Sequence, residues 1–250
     1  MPLLTFNQWV GLLSEALGVV AVTMLLGISP RIRSVAPLGF RYPRREGWVA
    51  LGLAAALLGL STLIYLQPGV AGEVARGGTE SLYPALTLAV AAAALSAAAL
   101  AYRRQPLRSA GWNRALLTPA VQVGIAVTLL SIFLRGMLAR LLAGVSAEQA
   151  QALLLLAVIA LAEETAFRGY IQPRLSAWLG AIPGWLLTSL LFTAFYLPRA
   201  LALPPEVQLT ALGVALGHGL LAGWMMLKIR HALAAALYRA VSGWLLLLLV

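Results

Sequence analysis

Hydrophobic residues fill long stretches of this chain, and short groups of arginine, glycine and proline separate them. Most stretches are about 20 residues long, the length that an α-helix needs to cross the hydrocarbon core of a bilayer. The pattern therefore predicts an all-α fold, a polytopic transmembrane helix bundle of about eight spans without a soluble domain. We place the spans near residues 9–28, 48–65, 82–102, 116–140, 153–175, 182–203, 207–227 and 232–250.

The composition supports the same fold class. The chain has 250 residues, of which 61% are hydrophobic and 10% are charged, whereas a soluble domain carries roughly 25% charged residues. Only helices and closed barrels satisfy their backbone hydrogen bonds in lipid, and the alternation typical of barrel strands is absent. We therefore expect an integral, multi-pass membrane protein, and we expect its membrane to be a prokaryotic cytoplasmic membrane.

The positive charges follow the loops. The net charge is +10, and arginines concentrate in the loops after the first, third and fifth spans, with Lys228 and Arg230 after the seventh. Under the positive-inside rule these loops face the cytoplasm and both termini lie outside. Arg135 and Arg140 depart from this alternation. Since the basic residues follow topology and no aromatic–basic surface accompanies them, we expect membrane lipids as partners and no nucleic acid.

One apolar stretch carries an unusual group of charges. In the segment Leu153–Leu175 two adjacent glutamates, Glu163 and Glu164, are followed by Arg168. Charged side chains inside a bilayer are costly, rare and usually functional. Glu164 and Arg168 stand at i and i+4 and can pair, whereas Glu163 points about 100° away and is free to face another group.

The residues after this cluster favour a change in the helix. Gly169 and Pro173 are both poor helix formers, and we expect them to weaken the helix beyond the charges.

Two interpretations of the glutamate pair remain open. A carboxylate in a low-dielectric site beside a second carboxylate can serve as a general base toward water. Alternatively, the glutamates and the arginine reach the headgroups at the end of a helix. Cysteine is absent, and the two histidines, His218 and His231, do not stand in a ligand-spaced motif, so we expect no metal and no cofactor. His231 is expected in the headgroup region.

The motif around the glutamates resembles a known family. Glu163-Glu164-Thr165-Ala166-Phe167-Arg168-Gly169, continued by Tyr170-Ile171, is similar to the first motif of the CPBP family, the CAAX-protease and bacteriocin-processing intramembrane proteins. The resemblance covers roughly residues 150–245. We accordingly divide the chain into N-terminal transmembrane helices, 1–145, and CPBP-like core helices, 146–250, within one membrane domain.

The resemblance implies roles for particular residues. In the family the first glutamate, here Glu163, activates the hydrolytic water, and the motif arginine supports the site. A second motif, F-x-x-x-H, is matched at Phe192, but its histidine position holds Tyr196. A third motif, H-A-x-x-N, is best matched by the segment beginning at Arg239, where Arg239 replaces the histidine and Gly243 replaces the asparagine.

These departures leave the enzymatic activity uncertain. Neither tyrosine nor arginine replaces a histidine base near neutral pH, so a catalytically silent relative is favoured. His218 could substitute for the missing histidine or be hydrogen-bonded to a neighbouring helix. Arg239 could pair with Glu15 or with Glu163, and the second pairing would disable the base. The candidate catalytic residues are Glu163, Glu164, Arg168, Tyr196, His218 and Arg239.

Three functions follow from this interpretation. An active protein would hydrolyse a peptide bond in a membrane-associated or lipidated peptide, using a cavity in the cytoplasmic half that is centred on Glu163. A silent protein would use the same cavity to bind a partner membrane protein, a lipid or a lipidated peptide, as a binding or scaffold subunit. The alternative is a small transporter or channel in which intramembrane carboxylates form an ion path.

Overall fold

The structure is a computed structural model that describes residues 6–36 and 38–248. The regular elements in these residues are all helical. In chain order the α-helices are α1 Phe6–Gly27, α2 Pro30–Arg33, α3 Pro43–Tyr65, α4 Val70–Arg76, α5 Tyr83–Tyr102, α6 Leu117–Leu134, α7 Leu138–Leu142, α8 Ala147–Glu164, α9 Gln172–Leu179, α10 Ala181–Leu201, α11 Pro205–Ile229 and α12 Ala232–Leu248.

The predicted membrane bundle is confirmed. Seven helical segments in the described residues are long and apolar enough to cross a membrane, and α12 is a shorter apolar helix of 17 residues. One of the seven is continuous from Ala147 to Leu179, because α8 and α9 join through an intervening helical segment. The expectation of about eight spans agrees with this arrangement.

Local sequence explains where several helices begin and end. Ser146 caps α8 in a capping box, in which its hydroxyl accepts from the Gln149 backbone while the Gln149 side chain accepts from the Ser146 backbone. Gly180, with a φ of 99°, separates α9 from α10. Pro205 opens α11 in its first turn, where a missing N–H costs no helical bond.

The helix that carries the glutamates loses its regular α-helical geometry after the charged cluster but does not end there. Residues Thr165–Ile171 form a π-helical segment that leads directly into α9. Pro173 is tolerated because it lies in the first turn of α9. Gly169 serves close packing, since a Cβ there would overlap the carbonyl oxygen of Ala110.

Helices from both parts of the sequence pack together. In the first part α1 packs on α6, and in the second part α10 packs on α11 and α8 on α12; across the parts, α6 packs on α12 and α1 on α11. Three apolar clusters result, and the segment 159–171 contributes to two of them. The division between residues 145 and 146 stays a prediction.

A buried ion network fixes the arginine-rich end of the bundle. Arg174 is fully buried and donates to Glu46 at 3.2 Å, to the Tyr170 carbonyl at 2.8 Å and to the Gln105 side chain. Arg103 also donates to Glu46. These contacts join α3, the loop after α5 and the start of α9, so the C-terminal side of the π-helical segment is firmly held.

The Gly169 contact yields a stability prediction. Gly169→Ala should destabilise the protein by about 1–3 kcal/mol, because its methyl group overpacks against the Ala110 carbonyl. Gly213→Ala is the matched control in α11: apart from its own helix backbone, no atom lies within 4 Å of its added Cβ, so it should stabilise by about 0.5–1 kcal/mol. Unfolding in mixed micelles measures both variants, and equal effects would contradict the packing argument.

The loop charges yield a topology prediction. Because the native chain has no cysteine, single cysteines at the exposed positions Arg108 and Ala143 report the two ends of the bundle. Arg108→Cys should react with a membrane-impermeant maleimide only after the cytoplasmic side is opened, and Ala143→Cys should react in intact cells. The reverse labelling pattern would invert the orientation.

Candidate functional site

The two glutamates lie at the C-terminal end of α8, in the interior of the bundle. Glu163 and Glu164 are the last two residues of α8, and their exposed fractions are 1% and 0%. The π-helical segment begins at the next residue. Such segments often occur at functional sites. The interpretation in which the glutamates reach the headgroups is therefore wrong, because both carboxylates are enclosed by protein.

Arg239 of α12 joins the two carboxylates. Its Nη2 donates to Glu163 Oε2 at 2.6 Å, and its Nη1 donates to Glu164 Oε1 at 2.8 Å. The predicted pairing of Arg239 with Glu163 is confirmed, and the alternative pairing with Glu15 is not formed. One guanidinium thus bridges two adjacent acids, a charge-assisted arrangement that is both strong and directional.

Tyr196 of α10 completes this contact. Its hydroxyl donates to Glu163 Oε2 at 2.7 Å and accepts from Arg239 Nη2 at 2.8 Å. The ring of Phe192, one turn earlier, lies 4.7 Å from the guanidinium carbon of Arg239. Two donors therefore converge on one oxygen of Glu163, and an aromatic face supports the arginine behind them.

Arg168 is the second cation of the cluster. Its Nε lies 3.3 Å from Glu164 Oε2, so the predicted i, i+4 pair forms. Arg168 is fully buried, and its guanidinium carbon lies 4.8 Å from the centre of the Phe192 ring. Its guanidinium nitrogens make no well-aligned hydrogen bond within the described chain. The buried cluster therefore contains two acids and two arginines, and its formal charge is balanced.

His218 belongs to a second polar cluster and forms no hydrogen bond with Glu163 or Glu164. Its Nε2 lies 3.0 Å from the hydroxyl of Ser242 in α12. Ser242 also contacts Glu15 at 3.1 Å, and Arg135 Nε donates to Glu15 at 2.5 Å. The proposed substitution of His218 for a motif histidine thus has no geometric support, whereas its hydrogen bond to a neighbouring helix is confirmed.

A cavity of about 550 Å³ adjoins the charged cluster. Tyr196, Arg239 and His218 contribute polar groups to its wall, and apolar residues of α8, α10, α11 and α12 line much of the remainder. Glu163 is not among the residues that line this cavity. Tyr196 and Arg239, which both contact Glu163, line it instead. The expectation of a cavity centred on Glu163 was therefore wrong.

The cavity also reaches the end of the bundle opposite to the one expected. Its lining includes Gly77–Thr79, Glu148, Arg199 and Leu246–Leu248, from loops and helix ends that lie away from the arginine-rich loops. Thr79 and Glu148 are in hydrogen-bond contact at this end. Under the orientation expected from the loop charges, the cavity reaches the non-cytoplasmic half.

His231 is buried, so its expected place among the headgroups was wrong. Its exposed fraction is 1%, and its ring stacks edge-on with Trp112 at 5.3 Å. Burial lowers the pKa of His231 to about 4, so the imidazole is neutral at physiological pH. Its Nδ1 therefore accepts a hydrogen bond from the Leu233 backbone at the start of α12.

The sequence did not identify Arg135, Arg199 or Ser242 as residues of the two polar clusters and the cavity. Arg135 departs from the alternation of loop charges, and this departure could have indicated that it is not one of the exposed loop charges. Its side chain is buried against Glu15. Arg199 lies inside a predicted span, where an arginine requires an explanation. Nothing in the sequence pointed to Ser242.

The part of the chain that the structure describes contains no group of three or more His, Cys, Asp or Glu side chains that could hold a metal ion.

Comparison with known families explains the first motif. Residues 131–245 match the family model described as type II CAAX prenyl endopeptidase Rce1-like. This segment, slightly less than half of the chain, is thus similar to the CPBP/CAAX protease family. No curated protein and no solved structure matches it. The family segment contains both acids of the cluster and both of its arginines, and it also includes Arg135, whose partner Glu15 lies in α1 outside the segment.

Two of the three residues that depart from the expected motif pattern meet at Glu163. Tyr196 and Arg239, at the two motif histidine positions, both contact Glu163 Oε2. Gly243, at the motif asparagine position, lines the cavity and has only a Leu156 methyl group near its missing Cβ, at 3.8 Å. Glu163 therefore contacts a guanidinium and a phenol, and Gly243 leaves space in the cavity where the motif has an asparagine side chain.

The bridge made by Arg239 yields a stability prediction. Arg239→Met should destabilise the protein by about 3–5 kcal/mol, because two buried acids lose their shared cation. Arg199→Met is the matched control, since Arg199 is partly buried in α10 and forms no ion pair with a described residue. Unfolding in mixed micelles measures the difference.

An internal test accompanies this prediction. Adding Glu163→Gln to Arg239→Met removes one of the two buried carboxylates that have lost their cation, and should recover part of the lost stability. Equal destabilisation by Arg239→Met and Arg199→Met would mean that the bridge contributes nothing.

Proposed function

We propose that this CAAX-protease family member does not hydrolyse peptides and instead uses its intramembrane cavity as a binding site. The observation that carries the proposal is the double contact of Arg239 with Glu163 and Glu164. In the family, the equivalent of Glu163 activates water. Here Oε2 of that carboxylate already accepts from a guanidinium and a phenol.

The chemistry of the two donors supports this proposal. A general base must pass its proton on, and a histidine partner does so near neutral pH. Arginine keeps its protons at every physiological pH, and tyrosine keeps its proton near neutrality. Neither Tyr196 nor Arg239 is therefore suited to accept a proton that Glu163 might take from water.

The position of His218 supports the same conclusion. The imidazole is engaged by Ser242 within the cluster that ties α1 to α12. An active site of this family would need an imidazole on the Glu163 side of α12, and Arg239 occupies that place. Both acids are held as parts of a charge-balanced structural cluster.

The cavity supports a binding role. Its volume of about 550 Å³ lies in the range of small-molecule sites, roughly 300–1,000 Å³. It combines apolar walls with a few polar groups, which is the usual composition of such sites. The ligand would be a lipid, a lipidated peptide or a segment of a partner membrane protein.

A hydrolysis assay tests the proposal. In proteoliposomes, the wild-type protein and Glu163→Gln should both leave a prenylated peptide uncleaved, while a hydrolytically active family member cleaves it in parallel. The substitution should also leave any co-purifying ligand or partner bound. Cleavage by the wild-type protein that is lost in Glu163→Gln would establish a hydrolase and overturn the proposal.

A further inference from the structure

Arg199 is the surplus charge of the cavity. It lies in the last turn of α10, one turn beyond Tyr196, and its side chain makes no hydrogen bond or ion pair with a described residue. The inner cluster is neutral, with two acids and two arginines, and at the outer edge Arg140 and Glu148 carry opposite charges. The described lining residues and the inner cluster together therefore carry one net positive charge.

Such a cation inside a mainly apolar cavity calls for an anion. Arg199 is only partly buried and lies near the end of the bundle, so an anionic head group can reach it, and a carboxylate matches its two parallel N–H groups. One surplus positive charge matches one negative charge, so a singly charged carboxylate fits better than a doubly charged phosphate.

The walls define the rest of the ligand. Leu156 and Ile159 of α8, Leu203 at the end of α10, Val214 of α11 and Leu247 of α12 all line the cavity. They offer few side-chain partners for hydrogen bonds, so a peptide backbone in contact with them would leave polar groups unpaired. A hydrocarbon chain has no such cost.

We propose that the cavity binds a single-chain anionic amphiphile, a fatty carboxylate whose head pairs with Arg199 and whose chain lies along the apolar walls. This inference rests on the proposed binding function and names the ligand class for that site. Gly243 leaves room for the chain, since its missing Cβ faces only a Leu156 methyl group at 3.8 Å.

The test measures binding of oleate and of methyl oleate to the purified, full-length protein in detergent. Oleate should bind saturably, and methyl oleate, which has the same chain without the charge, should bind more weakly. Arg199→Gln should weaken oleate binding about tenfold or more, with little effect on methyl oleate. Arg108→Gln is the matched control, because it removes an exposed arginine at the opposite end.

A second variant tests the cavity itself. Gly243→Leu should reduce binding of both probes, because its side chain fills the space along Leu156. Equal binding of oleate and methyl oleate, or an unchanged oleate affinity in Arg199→Gln, would overturn the proposal. Stronger competition by a peptide with a free C-terminal carboxylate than by oleate would also overturn it, since the occupant would then be a peptide terminus.

The two proposals fail in different ways. Peptide cleavage that depends on Glu163 would overturn the silent-relative proposal even if oleate binds at Arg199. Absence of oleate binding together with absence of cleavage would overturn the ligand class alone. The unfolding transition of each variant, measured on the purified protein, distinguishes a specific loss of function from a loss of folding.

Discussion

The packing of α8 against α12 depends on a buried group of four charges, in which Arg239 bridges the two acids and Arg168 pairs with one of them. Arg239 reaches from α12 to the end of α8 and meets two adjacent acids, while Arg168 supplies the second positive charge from the π-helical segment. In a bilayer these charges are tolerable only as a balanced set. The helices that carry them must therefore stay in register, because a shift of one residue on α12 would separate the arginine from both acids.

This constraint connects structure and function. A cluster that serves as the internal support of the bundle is poorly suited to change its protonation during a reaction. Tyr196 and Arg239, which stand where the resembled motifs have histidines, are the residues that contact Glu163, so the positions that depart from the motifs are also the ones that build the bridge. Under the proposed function, this polar cluster is a fixed structural element beside the cavity that binds the ligand.

The sequence predicted the helices well because the bilayer imposes length and apolarity on each span. It also predicted the Glu164–Arg168 pair, since i, i+4 spacing fixes that geometry locally. It could not decide between Glu15 and Glu163 as the partner of Arg239, because that choice depends on how distant helices pack. The same reason applies to His218 and to the end at which the cavity lies. Arg135 could have been found from its exceptional place in the charge pattern.

The continuity of α8 and α9 has a consequence for how the protein sits in its membrane. The segment from Ala147 to Leu179 has 33 residues, which at about 1.5 Å per residue corresponds to roughly 50 Å. The hydrocarbon layer is only about 30 Å thick, so this rod must tilt strongly or extend into both interfaces. Glu163 stands at the midpoint of this segment. The four charges would therefore lie near the middle of the hydrocarbon layer, where water is scarcest.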